Sequence, residues 1–280
     1  MILVTGAAGN VGTHVVRSLL EAGEKVRVMT RDPGQRSFPD GAEVVSGDLA
    51  RPEALPAALS GVERAFLFPA ATGVDAFLDA ARPAGVQHVV LLSSSSVVAA
   101  TPGFLGERHL RIERAVAGSG LPYSFVRPGA FMTNDLAWAS QIRHGDVVRG
   151  IHGRAASAPI DPRDIAAVAV RALLDPHSGA EHVLTGPQSL SQIERVQIIA
   201  GAIGRPLRFE EATEEQYREQ MLRYGMPAPV IDQLVAGLGA VSDGRAAAIS
   251  PAVEQITGRP AFTYASWVAG HAAAFGPAPA

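Results

Sequence analysis

The chain has 280 residues, of which 47% are hydrophobic and 18% charged, with a formal net charge of −3 and no cysteine. This balance suits a globular protein with a large apolar core, and it carries no basic signal for nucleic acid or an anionic membrane. Lacking cysteine, the chain has no disulfide, no thiolate metal site and no thiol nucleophile.

The amino-terminal stretch has no basic leader, and no apolar run approaches the roughly 20 residues that span a bilayer. A cytoplasmic protein is therefore expected, with no membrane or nucleic-acid partner. The closing GPAPA is expected to fray. Lys25 is the sole lysine, so any mechanism that needs a catalytic lysine must use it.

In chain order, β-rich runs fall at 2–4, 25–29, 43–45, 65–68, 88–92 and 123–126. Helical patterns lie between most of them, at 11–22, 52–59, 74–84 and 107–118. Several strands are almost wholly apolar, as in a sheet covered on both faces. The alternation predicts βαβ units in a parallel, doubly wound α/β sheet. Gly23, Gly85 and Gly120 stand where helix C-caps want a left-handed residue.

Beyond residue 130 the alternation weakens. A helix is expected over 161–174, capped by Asp161 with Pro162 in its first turn. A strand at 181–185 would return to the sheet. Further helices are expected at 191–203, at 213–224 with a Thr213/Gln216 capping box, and at 264–274. The expected division is a nucleotide-binding core over 1–132 and a smaller, mostly helical substrate-covering lobe over 133–280, together one compact unit.

The stretch Thr5-Gly6-Ala7-Ala8-Gly9-Asn10-Val11-Gly12 follows the first strand and opens the first helix. That context makes a glycine triplet a credible dinucleotide cradle. Gly6 permits the turn, Gly9 admits phosphate close to the backbone, and Gly12 lets helix and strand pack closely. Amides around Ala8, Asn10 and Val11 would face the phosphates. At the end of the second strand, Arg31 could fork onto a 2′-phosphate, which favours NADP(H) over NAD(H). Asp32 leaves room for the NAD alternative. No H-E-x-x-H or clustered ligand spacing points to a metal, and no G-x-S-x-G elbow points to a hydrolase.

The glycine spacing resembles the Rossmann-type short-chain dehydrogenase/reductase superfamily. In that superfamily Asp48 and Leu49 would meet the adenine, although Asp48 could equally cap the Pro52 segment. The usual Tyr-x-x-x-Lys pair is missing: His109 stands at the lysine position and Leu105 at the tyrosine position. The loop TGAAGNVG, MTRDP, SGDL, the His109–Glu113 pair, RPGAFMTN, DPRDIAAVAVRALLDP, HVLTGP and ITGRP together resemble the NmrA-like family of atypical short-chain reductases. This family includes NAD(P)H quinone oxidoreductases, triphenylmethane reductase and a redox-sensing regulator.

The resemblance implies a nicotinamide site along Phe68, Pro69, His109, Pro128 and Gly129. His109 would touch the ribose or pass a proton, oriented by Glu113 one helical turn on. Ser94 and Ser95, in the run 93–96, could bond a substrate carbonyl. Phe104, Phe131, Met132 and Trp138 would line an apolar pocket. The expected activity is NAD(P)H-dependent hydride transfer to an aromatic or conjugated carbonyl compound such as a quinone or enone, by a monomer or homodimer. The rival readings are a non-catalytic redox sensor acting on a protein partner, and a pathway-specific reductase or epimerase of secondary metabolism.

Overall fold

A computed structural model describes residues 1–34 and 37–276, so the end of the tail lies outside the described residues. The first half runs through β1 (Ile2–Thr5), α1 (Gly12–Glu21), β2 (Val26–Thr30), β3 (Glu43–Ser46), α2 (Leu55–Leu59), β4 (Arg64–Leu67) and α3 (Val74–Ala81). It continues through β5 (His88–Leu92), a 3₁₀ turn (Ser95–Val98), α4 (Gly103–Gly118) and β6 (Tyr123–Pro128). The second half begins with a 3₁₀ turn (Met132–Trp138), α5 (Ala139–His144), β7 (Val147–Gly150), β8 (Ala156–Ser157), α6 (Pro162–Leu174) and β9 (Ala180–Leu184). Then come β10 (Leu190–Ser191), α7 (Gln192–Ile203), β11 (Arg208–Glu211), α8 (Glu214–Arg223), α9 (Ala228–Ala240), α10 (Ala252–Thr257) and α11 (Tyr264–Phe275).

Seven strands form one sheet in the order β3-β2-β1-β4-β5-β6-β9. Every pair is parallel, with Ile2 beside Val26 on one side and beside Arg64 on the other. Because strand side chains alternate, neighbouring residues enter opposite layers. Ile2, Val4, Val28, Phe66 and Val90 pack with α1 and α6. Leu3, Met29, Ala65, Leu67, Val89 and Leu91 pack with α2, α3 and α4. Each such buried side chain contributes about 1.5–3 kcal/mol, which is why β1 and β5 are buried at every position.

The strand order reverses between β1 and β4, which opens a crevice at their carboxyl ends. At the opposite edge, exposed Lys25 begins the approach to β2, its carbonyl accepting from Ile2 N at 2.8 Å.

From the second half, β9 pairs with β6, and α6 places Ile165, Val168, Ala169 and Leu173 in the same layer as α1. Asp161 caps α6, its carboxylate accepting from Arg163 N at 2.8 Å. Capping boxes start α7 at Ser191/Glu194 and α8 at Thr213/Gln216. Several features depart from the sequence expectation, and α5, α9 and α10 are helices it did not include. α4 starts at Gly103, a turn before 107, because Gly103 takes φ +64° and turns the chain into the helix. Two small ribbons, β7 with β11 and β8 with β10, also join segments distant in sequence, a pairing that local periodicity does not encode.

Candidate functional site

The glycine loop is built so that no side chain stands in the way. Gly6 has φ +62°, and a Cβ there would meet Phe68 Cβ at 2.8 Å. A Cβ on Gly12 would run into the Gly6 carbonyl and lie 2.8 Å from Ala7 Cα. Gly9 N donates to Gly6 O at 3.0 Å and closes the turn. Val11 precedes α1 with no side-chain cap. Among the described residues, the amides of Asn10, Val11 and Gly12 meet no acceptor, as an anion-binding helix start requires.

A cleft of about 400 Å³ lies over this loop. Its lining brings together Gly6, Ala8, Gly9, Arg31, Asp48, Leu49 and Phe68 from the expected cofactor set. The Thr5 hydroxyl donates to Phe66 O at 3.1 Å and accepts from Phe68 N at 2.7 Å, which fixes the turn after β4 beside the loop. Phe68 stays 43% exposed, its ring turned over Gly6. Arg31 is exposed at the cleft mouth. The Asp48 carboxylate accepts from Ala50 N at 3.0 Å, so it organises its own turn and does not cap the Pro52 segment.

Arg108, absent from the expected set, also lines the cleft. One of its terminal nitrogens donates to Pro69 O at 2.9 Å, while its buried Nε has no partner. Its guanidinium adds a positive charge to the cleft wall, which suits an anionic ligand. The available signal was its place next to His109 on the same helix.

At the nicotinamide end the expected residues fall into three groups. His109 Nδ1 lies 2.8 Å from Leu105 O. A carbonyl only accepts, so Nδ1 carries the hydrogen and Nε2 keeps its lone pair. Burial pushes the His109 pKa down, so the ring is neutral near pH 7. The Ser94 hydroxyl caps the 3₁₀ turn by accepting from Ser96 N at 3.2 Å, and it shares a 2.9 Å bond with Ser96 Oγ. The Ser95 hydroxyl has no partner among the described residues, and a Cβ on Gly129 would lie 3.7 Å from it. Ser95, rather than Ser94, is therefore free to meet a ligand. Pro128 is buried at the end of β6, and Gly129 N donates to Leu184 O at 2.9 Å.

Glu113 does not orient His109. It is 4% exposed and receives both Arg127 Nε, at 2.9 Å, and Arg127 Nη2, at 2.7 Å. Ser93 Oγ donates to the same carboxylate at 2.5 Å. Arg127 also bonds Glu181 on β9. A buried charge needs such a partner, and the pairing satisfies it while pinning α4 to β5 and β6.

The expected apolar pocket is corrected as well. Met132 is fully buried in the lobe core with Tyr264 and Trp267, because its turn folds inward once Met132 N bonds Ile160 O at 2.9 Å. Trp138 packs against that same core, under the Arg195 guanidinium at 5.1 Å. Phe131 packs against the sheet-side core. Phe104 alone is open, at 51% exposure on the first turn of α4.

Two further motifs are structural. Asp164, fully buried, accepts from Arg259 at 2.7 Å and from Phe262 N at 2.8 Å. Arg163 and Arg259 both lie over the Phe262 ring, at 3.9 and 4.5 Å. DPRD and ITGRP thus clasp each other, and Asp161, Pro162 and Arg163 share a cavity wall with Ala8, Gly9 and Asn10 of the glycine loop.

Fold and cleft together define a Rossmann-type α/β protein of the dinucleotide-binding class. The chain belongs to the NmrA-like family, which matches residues 1–256. It is 40% identical, over 99% of this chain and all of the relative, to a (4-alkanoyl-5-oxo-2,5-dihydrofuran-3-yl)methyl phosphate reductase of Streptomyces griseus. It is 37% identical, over 99% of this chain and all of the relative, to an NAD(P)H azoreductase of Xenophilus azovorans. An NADPH-dependent quinone oxidoreductase of Escherichia coli, solved in complex with NADPH, superposes with a TM-score of 0.82 at 25% identity, covering 97% of this chain and 99% of that one. No helix among the described residues is long and apolar enough to cross a membrane.

Proposed function

We propose that the protein is a reductase that prefers NADPH and passes hydride to a conjugated small molecule such as a quinone, an enone or an acyl-substituted dihydrofuranone. The observation that carries this reading is His109: a neutral imidazole with its one hydrogen tied to Leu105 O stands where the superfamily keeps a lysine. Such a site offers no strong acid, so its acceptor must tolerate hydride before a proton arrives. Conjugated carbonyls do this by spreading the charge. The reductase names carried by the relatives support the same chemistry.

When bound, the cofactor supplies the hydride. The Asn10–Gly12 amides would hold its phosphates, and Arg31 would grip the 2′-phosphate and set the preference over NADH. His109 Nε2 would accept from a ribose hydroxyl. The Ser95 hydroxyl would donate to the acceptor's carbonyl, and water would deliver the proton that completes the reduction. Phe104 would flank the acceptor.

The test follows NADPH oxidation against a panel of naphthoquinones, azo dyes and acyl-dihydrofuranones. Turnover that is faster with NADPH than with NADH is expected. Tight NADPH binding without turnover of any acceptor would overturn the reading in favour of a redox sensor.

A further inference from the structure

The helix that carries His109 and Arg108 begins without a cap of its own. Pro102 precedes α4 and offers no side-chain acceptor. The first amides of any helix need one. Here it comes from far along the chain. Gln233, on α9, accepts from Leu105 N at 2.7 Å through Oε1 and donates to Pro102 O at 3.1 Å through Nε2. The two bonds hold a single turn of α4 from both its donor and its acceptor side. Gly103 makes room for them: a Cβ there would press on the Gln233 carboxamide at 3.0 Å.

Leu105 is where this clamp meets the site. Its N–H is held by Gln233, and its C=O receives Nδ1–H of His109 at 2.8 Å. The two peptide units that flank the Leu105 Cα therefore carry the trans cap and the imidazole bond side by side, one on each. The same turn packs closely on the 3₁₀ turn, because a Cβ on Gly106 would lie 2.7 Å from Ser96 O. α9 itself is anchored lightly. Its Ile231 and Val235 are buried with Ile151 in a small cluster separate from the sheet cores, and Asp232 pairs with Arg218 of α8.

We propose that Gln233 is a positioning residue for the site: α9 caps α4 in trans and so holds His109 with its Nε2 lone pair turned out for the cofactor. The kinetic consequence rests on the reductase reading, whereas the structural consequence does not. Two variants of the full chain separate them. Gln233→Leu removes both bonds. Gln233→Glu keeps the acceptor for Leu105 N.

In Gln233→Leu, amide exchange across the first turn of α4 is expected to quicken roughly three- to thirtyfold, the range of a lost helix cap. The imidazole ¹⁵N resonances of His109 are expected to move from the Nδ1–H pattern towards a tautomer mixture. With quinone as acceptor, kcat is expected to fall by a similar factor, while affinity for 2′,5′-ADP, which reaches only the adenosine end, stays unchanged. Gln233→Glu should recover most of each effect. Unchanged exchange, an unmoved His109 tautomer, or an unchanged kcat despite faster exchange would each overturn the proposal. If the wild-type chain turns over no acceptor, the reductase reading fails, and the exchange and ¹⁵N measurements alone decide the role of Gln233.

Discussion

The two ends of the site are built by different means. The phosphate end is backbone: three glycines and a helix start, all within the first 12 residues. The end proposed for the nicotinamide is side chains held through contacts made far along the chain. His109 depends on Leu105, Leu105 on Gln233, and α4 as a whole on the Glu113–Arg127 pair. The first design binds one invariant group tightly. The second can change with few substitutions, which suits an end where acceptors differ among relatives. Asn10 Nδ2 bridges the glycine loop to the turn after β6, donating to Thr133 Oγ1 at 3.3 Å.

The sharpest way to break this contrast is to remove Glu113. In Glu113→Leu the Arg127 charge keeps only its partner Glu181, a side chain 46% exposed. A loss of about 3–5 kcal/mol in urea unfolding is expected, because a buried charge loses its counter-ion. Combining it with Arg127→Met should restore part of that stability. If Glu113→Leu unfolds like wild type, the pair does not hold α4.

Acid should act chiefly through a histidine that lies outside the site. His88 stands at the amino end of β5, 2% exposed, and burial, then Arg64 and His177, push its pKa down to about 4. Between its ordinary value and 4, the unfolded chain binds a proton that the fold refuses. Stability is therefore full above about pH 6.5 and falls as pH drops through that window, by roughly 2 kcal/mol between pH 7 and 5. His14, His109 and His182 are lowered by burial and add in the same direction. Chemical melts at the two pH values, with His88→Gln flattening the difference, check this.

Arg31→Ala tests the adenosine end alone. It should raise the Kd for NADPH about 10- to 100-fold, the range for hydrogen bonds to a charged group, and leave NADH nearly unchanged. Equal losses for both cofactors would show that Arg31 does not read the phosphate. The smallest effect belongs to the bridge. Asn10→Ala should cost the fold no more than about 1 kcal/mol, as for an exposed hydrogen bond, and should loosen amide protection at 132–134 rather than in α1.

What could be read in the sequence follows the same division. Gly6, Gly9 and Gly12 reveal a cradle because the signal is local spacing. The strands were legible because burial on two faces leaves an apolar run, and the caps at Asp161 and Thr213 because a cap acts within three residues. Glu113 misled because its spacing from His109 is right for a helix face, while Arg127 offers the stronger, buried partner. Met132 misled because the fate of an apolar side chain after a strand depends on which way the next turn folds. Gln233 left no trace, since nothing local marks a side chain that caps a helix 128 residues away.

The position of Lys25 has a practical consequence. It is the sole lysine, exposed, at the edge of the sheet opposite the crevice. Coupling through lysine ε-amines would therefore attach the molecules at one point and leave the cofactor cleft facing the solution. An electrode or bead coated this way would carry a uniformly oriented layer, a property that the arginine-rich surface confers without engineering.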